Sequence, residues 1–233
     1  MNRFFNQELT ERLRRSGVMA VLVIEEPRHA VPTAQALLRG GIDVMELALR
    51  TPKSLEALRR ILSEVPQMTA GVGTILSPEQ VNTAQELGAA FGVAPGFSRD
   101  VVTEALNRQF PFAPGILTPS ELESAISFGC RTVKLFPAQI SGGPDYIKAI
   151  HAPYRHLGMQ FIPLGGLSLT NMAEYLRYDF IPAVGGSWIS PSEVIRSENW
   201  DLITDRAAQA ISIVRKVRDD LTKNSATAGL PQK

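Results

Sequence analysis

The stretch Arg131-Thr132-Val133-Lys134-Leu135-Phe136-Pro137-Ala138 decides how this chain is read. It is an apolar, β-prone run with a lysine in its middle and a proline near its end. Proline has no N–H to give to a sheet ladder, so a strand should stop near Pro137 and leave Lys134 close to its C-terminal end. Between Val133 and Leu135 an ammonium is costly unless a counter-charge meets it or the amine loses its proton. An unprotonated lysine amine attacks carbonyl carbon, which is the first step of Schiff-base chemistry. The plainer reading is a lysine that reaches back to solvent, or one that forms a structural ion pair. Cys130, just before the run, reads as a small buried hydrophobe.

Working outward, apolar β-prone runs recur along the whole chain: Val18–Ile24, Asp43–Leu49, Met68–Val72, Phe91–Val93, Pro111–Ala113, Thr132–Phe136, Gln160–Leu164 and Ile181–Val184. Their spacing is that of one strand, one helix and two loops. Between them lie helical patterns. Ala34, Leu37 and Leu38 share a face of Ala30–Arg39, and Leu55, Leu58, Ile61 and Leu62 share a face of Pro52–Glu64. Thr51-Pro52, Ser77-Pro78 and Thr118-Pro119 each place a capping hydroxyl before a proline, and Thr118 with Glu121 fits a capping box. Eight such units predict an α/β fold, a parallel (β/α)8 TIM barrel; an open doubly wound sheet is the alternative. Met1–Ser16, with Phe4, Phe5, Leu9 and Leu13 on one side, is expected to form an extra helix covering the bottom of the barrel. Leu202–Leu221 reads as the last helix. Residues 1–223 are expected to form one domain, and 224–233 a frayed tail.

The composition narrows the function. The chain has 233 residues, 44% hydrophobic and 20% charged, with a net charge of +1. Nothing there argues for a nucleic-acid partner or an anionic membrane. A single cysteine rules out an intrachain disulfide framework. No run is apolar enough for a membrane helix, and the N-terminal stretch lacks the apolar core of a signal peptide. A cytoplasmic protein is the expectation. The three histidines, His29, His151 and His156, have no ligand spacing and read as surface residues, so neither a metal nor another cofactor is expected.

Chemistry in such barrels sits at the C-terminal strand ends. Strand 2 brings Glu46 and Arg50; strand 3 runs into Gly71-Val72-Gly73-Thr74; Ala94-Pro95-Gly96 follows strand 4; strand 6 carries Lys134. Glu46 and Lys134 read as acid/base and nucleophile, or as an ion pair filling the barrel. Arg50 and the Thr74 hydroxyl suit a substrate carboxylate, or else are a surface residue and a turn hydroxyl. Leu164-Gly165-Gly166 and Gly185-Gly186-Ser187 follow strands 7 and 8, where paired glycines let backbone N–H groups approach an anion and Ser187 can start a short helix. Two tight turns that simply need glycine are the plainer alternative.

This ordered set, from about Val18 to Trp188, resembles the 2-keto-3-deoxy-6-phosphogluconate / 4-hydroxy-2-oxoglutarate (KDPG/KHG) aldolases. The resemblance implies a metal-free class I aldolase, usually a homotrimer, acting on pyruvate and an aldehyde such as glyceraldehyde 3-phosphate or glyoxylate. It implies that Lys134 is the Schiff-base lysine and Glu46 the general acid/base, with Arg50 and Thr74 on the pyruvate carboxylate. Phe136 would pack beside the lysine, and Gly165, Gly166, Gly186 and Ser187 would cradle phosphate. Pro95, Leu164 and Gly185 join the substrate-binding set. At Leu164 the phosphogluconate enzymes commonly carry Thr, whereas galactonate-type relatives carry an aliphatic residue and also resemble Gly143–Lys148. Arg50 instead resembles the gluconate type, so the C4 epimer and the phosphorylation of the substrate stay open. A phosphosugar isomerase or epimerase using Glu46 as base, and a non-catalytic phosphate-binding barrel, are the other readings.

Overall fold

Strands and helices alternate along the chain in a computed structural model that describes Phe5 and residues 7–228, with side chains through residue 223. The elements are α1 (Gln7–Ser16), β1 (Val18–Leu22), α2 (Ala30–Arg39), β2 (Val44–Ala48), α3 (Ser54–Glu64), β3 (Thr69–Gly73), α4 (Pro78–Glu86), β4 (Gly92–Val93), α5 (Arg99–Asn107), β5 (Phe112–Ala113), β6 (Gly115–Ile116), α6 (Pro119–Ser127), β7 (Thr132–Leu135), α7 (Gly143–His151), β8 (Gln160–Pro163), α8 (Met172–Leu176), β9 (Val184–Gly186), α9 (Ser192–Arg196) and α10 (Trp200–Ala228). A six-stranded sheet runs β5-β4-β3-β2-β1-β9 and a three-stranded one β6-β7-β8. All pairs are parallel. β5 and β6 are halves of one strand line, broken at Pro114, which has no N–H. A parallel bridge from Leu164 to Gly185 joins the end of β8 to β9 and closes the ring. The architecture is the (β/α)8 barrel, and every residue of β1, β2 and β3 is buried, as expected of parallel strands covered on both faces.

α1 packs against β1 and β2. Phe5, Leu9 and Leu13 are buried. Arg12 and Arg15 both reach Asp43, just before β2, at 3.3 and 3.0 Å. Arg12 also donates to the Gln67 carbonyl before β3, and Arg14 to the Asp179 carbonyl before β9. Phe4 lies outside the described residues.

Several boundaries differ from the sequence reading. The last strand begins at Val184 instead of Ile181, because Pro182 cannot donate to the ladder; the Gly185-Gly186 pair therefore belongs to β9 and not to the loop beyond it. Thr51 does not cap a helix. Its hydroxyl donates to the Ile24 carbonyl at 2.7 Å, and α3 starts at Ser54. Thr118 does form the capping box with Glu121, while Ser77 precedes Pro78 without a side-chain cap. α10 runs past Leu221 to Ala228, with no Gly or Pro before Gly229 to stop it; residues 224–228 of the expected tail are helical, and 229–233 lie outside the described residues. Two histidines are buried and not on the surface. His29 is 4% exposed and meets Glu198 at 3.1 Å, and His151, at the end of α7, stacks on Phe180 with ring centroids 3.7 Å apart. His156 is exposed.

Candidate active site

Lys134 is the third residue of β7, and strand alternation turns it to the opposite face from Val133 and Leu135. Glu46 holds the matching place in β2, on the other side of the ring. The two meet inside the barrel: Lys134 Nζ donates to Glu46 Oε1 at 3.1 Å and lies 3.4 Å from Oε2. The lysine side chain is 7% exposed and the glutamate 0%. Such a pair exists only because each charge answers the other, since either alone in that interior would be strongly unfavourable. Space for the carboxylate comes from Gly73, where a Cβ would stand 1.9 Å from Glu46 Oε1. The sequence offered a glycine-rich strand end but not this reason for it.

Beyond β3, Thr74 adopts φ 59°, a left-handed conformation that a β-branched side chain rarely takes. Its hydroxyl faces Arg50, whose Nε lies 3.4 Å from Oγ1. Arg50 is exposed and forms no ion pair among the described residues, so its guanidinium is free to receive an anion at the barrel mouth. Phe136, just past β7, is 39% exposed with its ring centroid 5.8 Å from Lys134 Nζ, within cation–π range. Pro95 backs onto β6: a Cβ at Gly115, the residue paired with Lys134 across the ladder, would lie 2.2 Å from the Pro95 carbonyl carbon.

A cavity of about 420 Å³ opens over the lysine, with Arg50 and Lys134 on its wall together with Gly165, Gly166, Gly186 and Ser187. Phe136 and Leu164 supply apolar wall; Pro95 and Gly185 do not line it. Gly185 is glycine for a packing reason, since a Cβ there would lie 2.7 Å from Leu164 Cγ. Ser187 starts no helix; it turns back to Ser190, whose N–H donates to its carbonyl at 3.2 Å. The Gly165-Gly166 turn has φ of 93° and 80°, conformations natural only to glycine. Its carbonyls are held from behind. Ala138 N–H donates to Leu164 O at 2.7 Å, Gln139 N–H to Gly165 O at 2.9 Å and Asn171 Nδ2 to Gly166 O at 3.0 Å. Gln139 is fixed in turn, its Oε1 accepting from Tyr175 at 2.8 Å and Asn171 at 3.2 Å. With the carbonyls engaged there, the turn is fixed as a rigid cavity wall. The Gln139–Asn171–Tyr175 support was missed in the sequence, because its members are far apart and individually ordinary.

The site thus combines a buried amine, a carboxylate in contact with it, a cation and hydroxyl at the mouth, and two glycine-bearing strand ends. Among the described residues no cluster of three or more His, Cys, Asp or Glu could hold a metal ion. Burial pushes the Cys130 thiol, just before β7, up to about 12, which leaves it unreactive.

Known proteins resemble this chain over most of its length. Residues 9–206 match the family model described as KDPG and KHG aldolase. The chain is 40% identical over 195 residues to the 2-dehydro-3-deoxy-phosphogluconate aldolase of Pseudoalteromonas atlantica, covering 84% of this chain and 90% of that protein. Its fold matches a KDPG aldolase from Legionella pneumophila, solved with pyruvate captured as a covalent carbinolamine intermediate, with TM-score 0.82 and 36% identity over 86% of this chain and 97% of that one. It also matches the KDPG aldolase of Zymomonas mobilis with 3-phosphoglycerate, TM-score 0.81 and 35% identity, over 87% of this chain and 94% of that one.

Proposed function

The chain belongs to the KDPG and KHG aldolase family, and from that premise we propose how its own residues carry the reaction. It is a class I, pyruvate-forming aldolase of the KDPG type. The observation that carries the residue assignment is the buried contact between Lys134 and Glu46 inside the barrel.

Lys134 Nζ, having given its proton to the Glu46 carboxylate, attacks the C2 ketone of a 2-keto-3-deoxy acid. Glu46 returns that proton to the carbinolamine hydroxyl, which leaves as water, so that a protonated imine and an ionised Glu46 remain. That imine accepts the electron pair when the C3–C4 bond breaks. Glu46 takes the proton of the C4 hydroxyl, so that the departing fragment leaves as an aldehyde. Glu46 gives the proton it took to C3 of the remaining enamine, and hydrolysis of the imine frees pyruvate and restores the amine. Arg50 and the Thr74 hydroxyl hold the carboxylate of the keto acid, a guanidinium fork suiting it well. Phe136 covers the imine. The Gly165-Gly166 turn, Gly186 and Ser187 receive the far end of the substrate, with Pro95 and Gly185 supporting the walls.

Leu164 contributes methyl groups where a hydroxyl donor would read the C4 stereocentre. An apolar wall discriminates weakly between isomers that differ by the place of a hydroxyl. The chain should therefore cleave 2-keto-3-deoxy-6-phosphogluconate and its C4 epimer with efficiencies within about tenfold of each other. The aldehyde is glyceraldehyde 3-phosphate, with glyoxylate as a shorter alternative. The proposal includes a homotrimer, whose mass sedimentation reads directly, and a cytoplasmic setting; no described helix is long and apolar enough to cross a membrane.

The test is turnover of both epimers by the wild type, Lys134→Arg and Glu46→Gln. Lys134→Arg retains positive charge but forms no imine, so cleavage should vanish. Glu46→Gln should bind pyruvate covalently yet exchange its methyl protons far more slowly. Substantial cleavage by Lys134→Arg would remove the lysine from its role, and unchanged exchange in Glu46→Gln would remove the glutamate. An isomerase built on Glu46 alone would release no pyruvate.

A further inference from the structure

The turn that follows β9 holds a donor that the steps above leave unused. Trp188 lines the cavity beside Gly186 and Ser187. Its indole Nε1 is buried and has no hydrogen-bond partner. The hydroxyl of Ser190, 1% exposed and two residues further on, has none either. The other buried side-chain atoms without partners among the described residues are the amide oxygens of Asn82 and Gln160, which are acceptors. The unpaired donors are thus confined to one turn at the cavity wall. A buried N–H without an acceptor is a standing cost that a ligand oxygen relieves.

The turn is held in place rather than loose. Arg206 of α10 donates to the Trp188 carbonyl at 3.4 Å, and Ser190 N–H to the Ser187 carbonyl at 3.2 Å. The indole lies against Gly186, where a Cβ would stand 2.4 Å from Nε1. Glycine at 186 is therefore required by the indole. An indole N–H only donates, so it selects acceptor oxygens. The cavity around it suits an anion: Arg50 and Lys134 line it, the Ser187 hydroxyl is its neighbour, and no carboxylate is on its wall.

We propose that the indole N–H of Trp188 is a specificity-determining hydrogen-bond donor to the phosphoryl group of a phosphorylated aldehyde. This rests on the aldolase reading of Lys134. The contact makes the enzyme favour a phosphorylated aldehyde over a short one such as glyoxylate, which ends before reaching the turn.

Trp188→Phe keeps an aromatic ring against Gly186 and removes only the donor. In the condensation direction its KM for glyceraldehyde 3-phosphate should rise about tenfold, the loss of one charge-assisted hydrogen bond, while kcat, the KM for pyruvate and the rate with glyoxylate stay near wild type. A second readout needs no turnover. The chain has two tryptophans, Trp188 and Trp200, so indole-¹⁵N labelling gives two resonances and Trp188→Phe assigns them. Inorganic phosphate should move the Trp188 N–H resonance downfield and leave that of Trp200 in place. An unmoved Trp188 resonance, or equal losses with glyoxylate and the phosphorylated aldehyde, would overturn the role. If borohydride traps pyruvate on Lys134 but Trp188→Phe leaves the KM unchanged, this inference alone falls. If no pyruvate is trapped, the aldolase reading falls and takes this inference with it.

Discussion

Lys134 and Glu46 hold each other's charge in an interior that would accept neither alone. At the residue scale the site is built from such mutual requirements. Gly73 lacks a Cβ because Glu46 needs the volume, and Gly186 lacks one because the Trp188 indole occupies it. Thr74 is kept in a left-handed conformation, at φ 59°, with its hydroxyl facing Arg50. Strain of this kind costs on the order of 1–3 kcal/mol and persists where function needs it. Thr74→Gly should therefore raise stability by about 1 kcal/mol, read as a higher urea midpoint, while the KM for pyruvate rises with loss of the hydroxyl. A variant that is less stable and binds pyruvate normally would contradict the role given to Thr74. Lys134, Glu46, Arg50 and Thr74 were legible in the sequence because charged or hydroxyl-bearing residues at apolar strand ends are conspicuous. Gly73 and Trp188 were not, because their roles depend on where a neighbour's atoms lie.

At the scale of elements, proline decided most of what the hydrophobic pattern left ambiguous. Pro114 splits the fifth strand line into β5 and β6, and Pro182 delays β9 to Val184. Helices with strong periodicity were plain, and α2 (Ala30–Arg39) has the boundaries its pattern predicts. The His151 environment was not visible, since a histidine at a helix end carries no sign of what will pack on it. His151 stacks on Phe180 and meets Phe161 edge-on at 5.8 Å. Burial lowers its pKa, with Arg155 acting the same way and Asp179 opposing. With its folded value below that of the unfolded chain, the unfolded state takes up the proton first as pH falls. The stability is thus complete above the unfolded value of about 6.5 and is lost as pH drops below it. His151→Phe should flatten that part of the profile, measured as urea midpoints at about pH 5 and 7.5 around that value. An unchanged difference between the two midpoints would show that His151 does not contribute.

At the scale of the whole molecule, ring closure makes the chemistry possible. β2 and β7 belong to different sheets and share no ladder. Only the junctions at Pro114 and at the Leu164–Gly185 bridge bring Glu46 and Lys134 to opposite walls of one interior. The repeat of strand and helix made that closure predictable from the sequence. The exact contact between the two side chains was not, because it depends on the register of strands that are distant in the chain. The most direct test of the account is the intact mass of the protein after addition of pyruvate and borohydride, with Lys134→Ala treated alongside. The wild type should gain the mass of one reduced pyruvate adduct and the variant should gain none. No gain in the wild type, or an equal gain in both proteins, would contradict the assignment of Lys134 as the Schiff-base nucleophile.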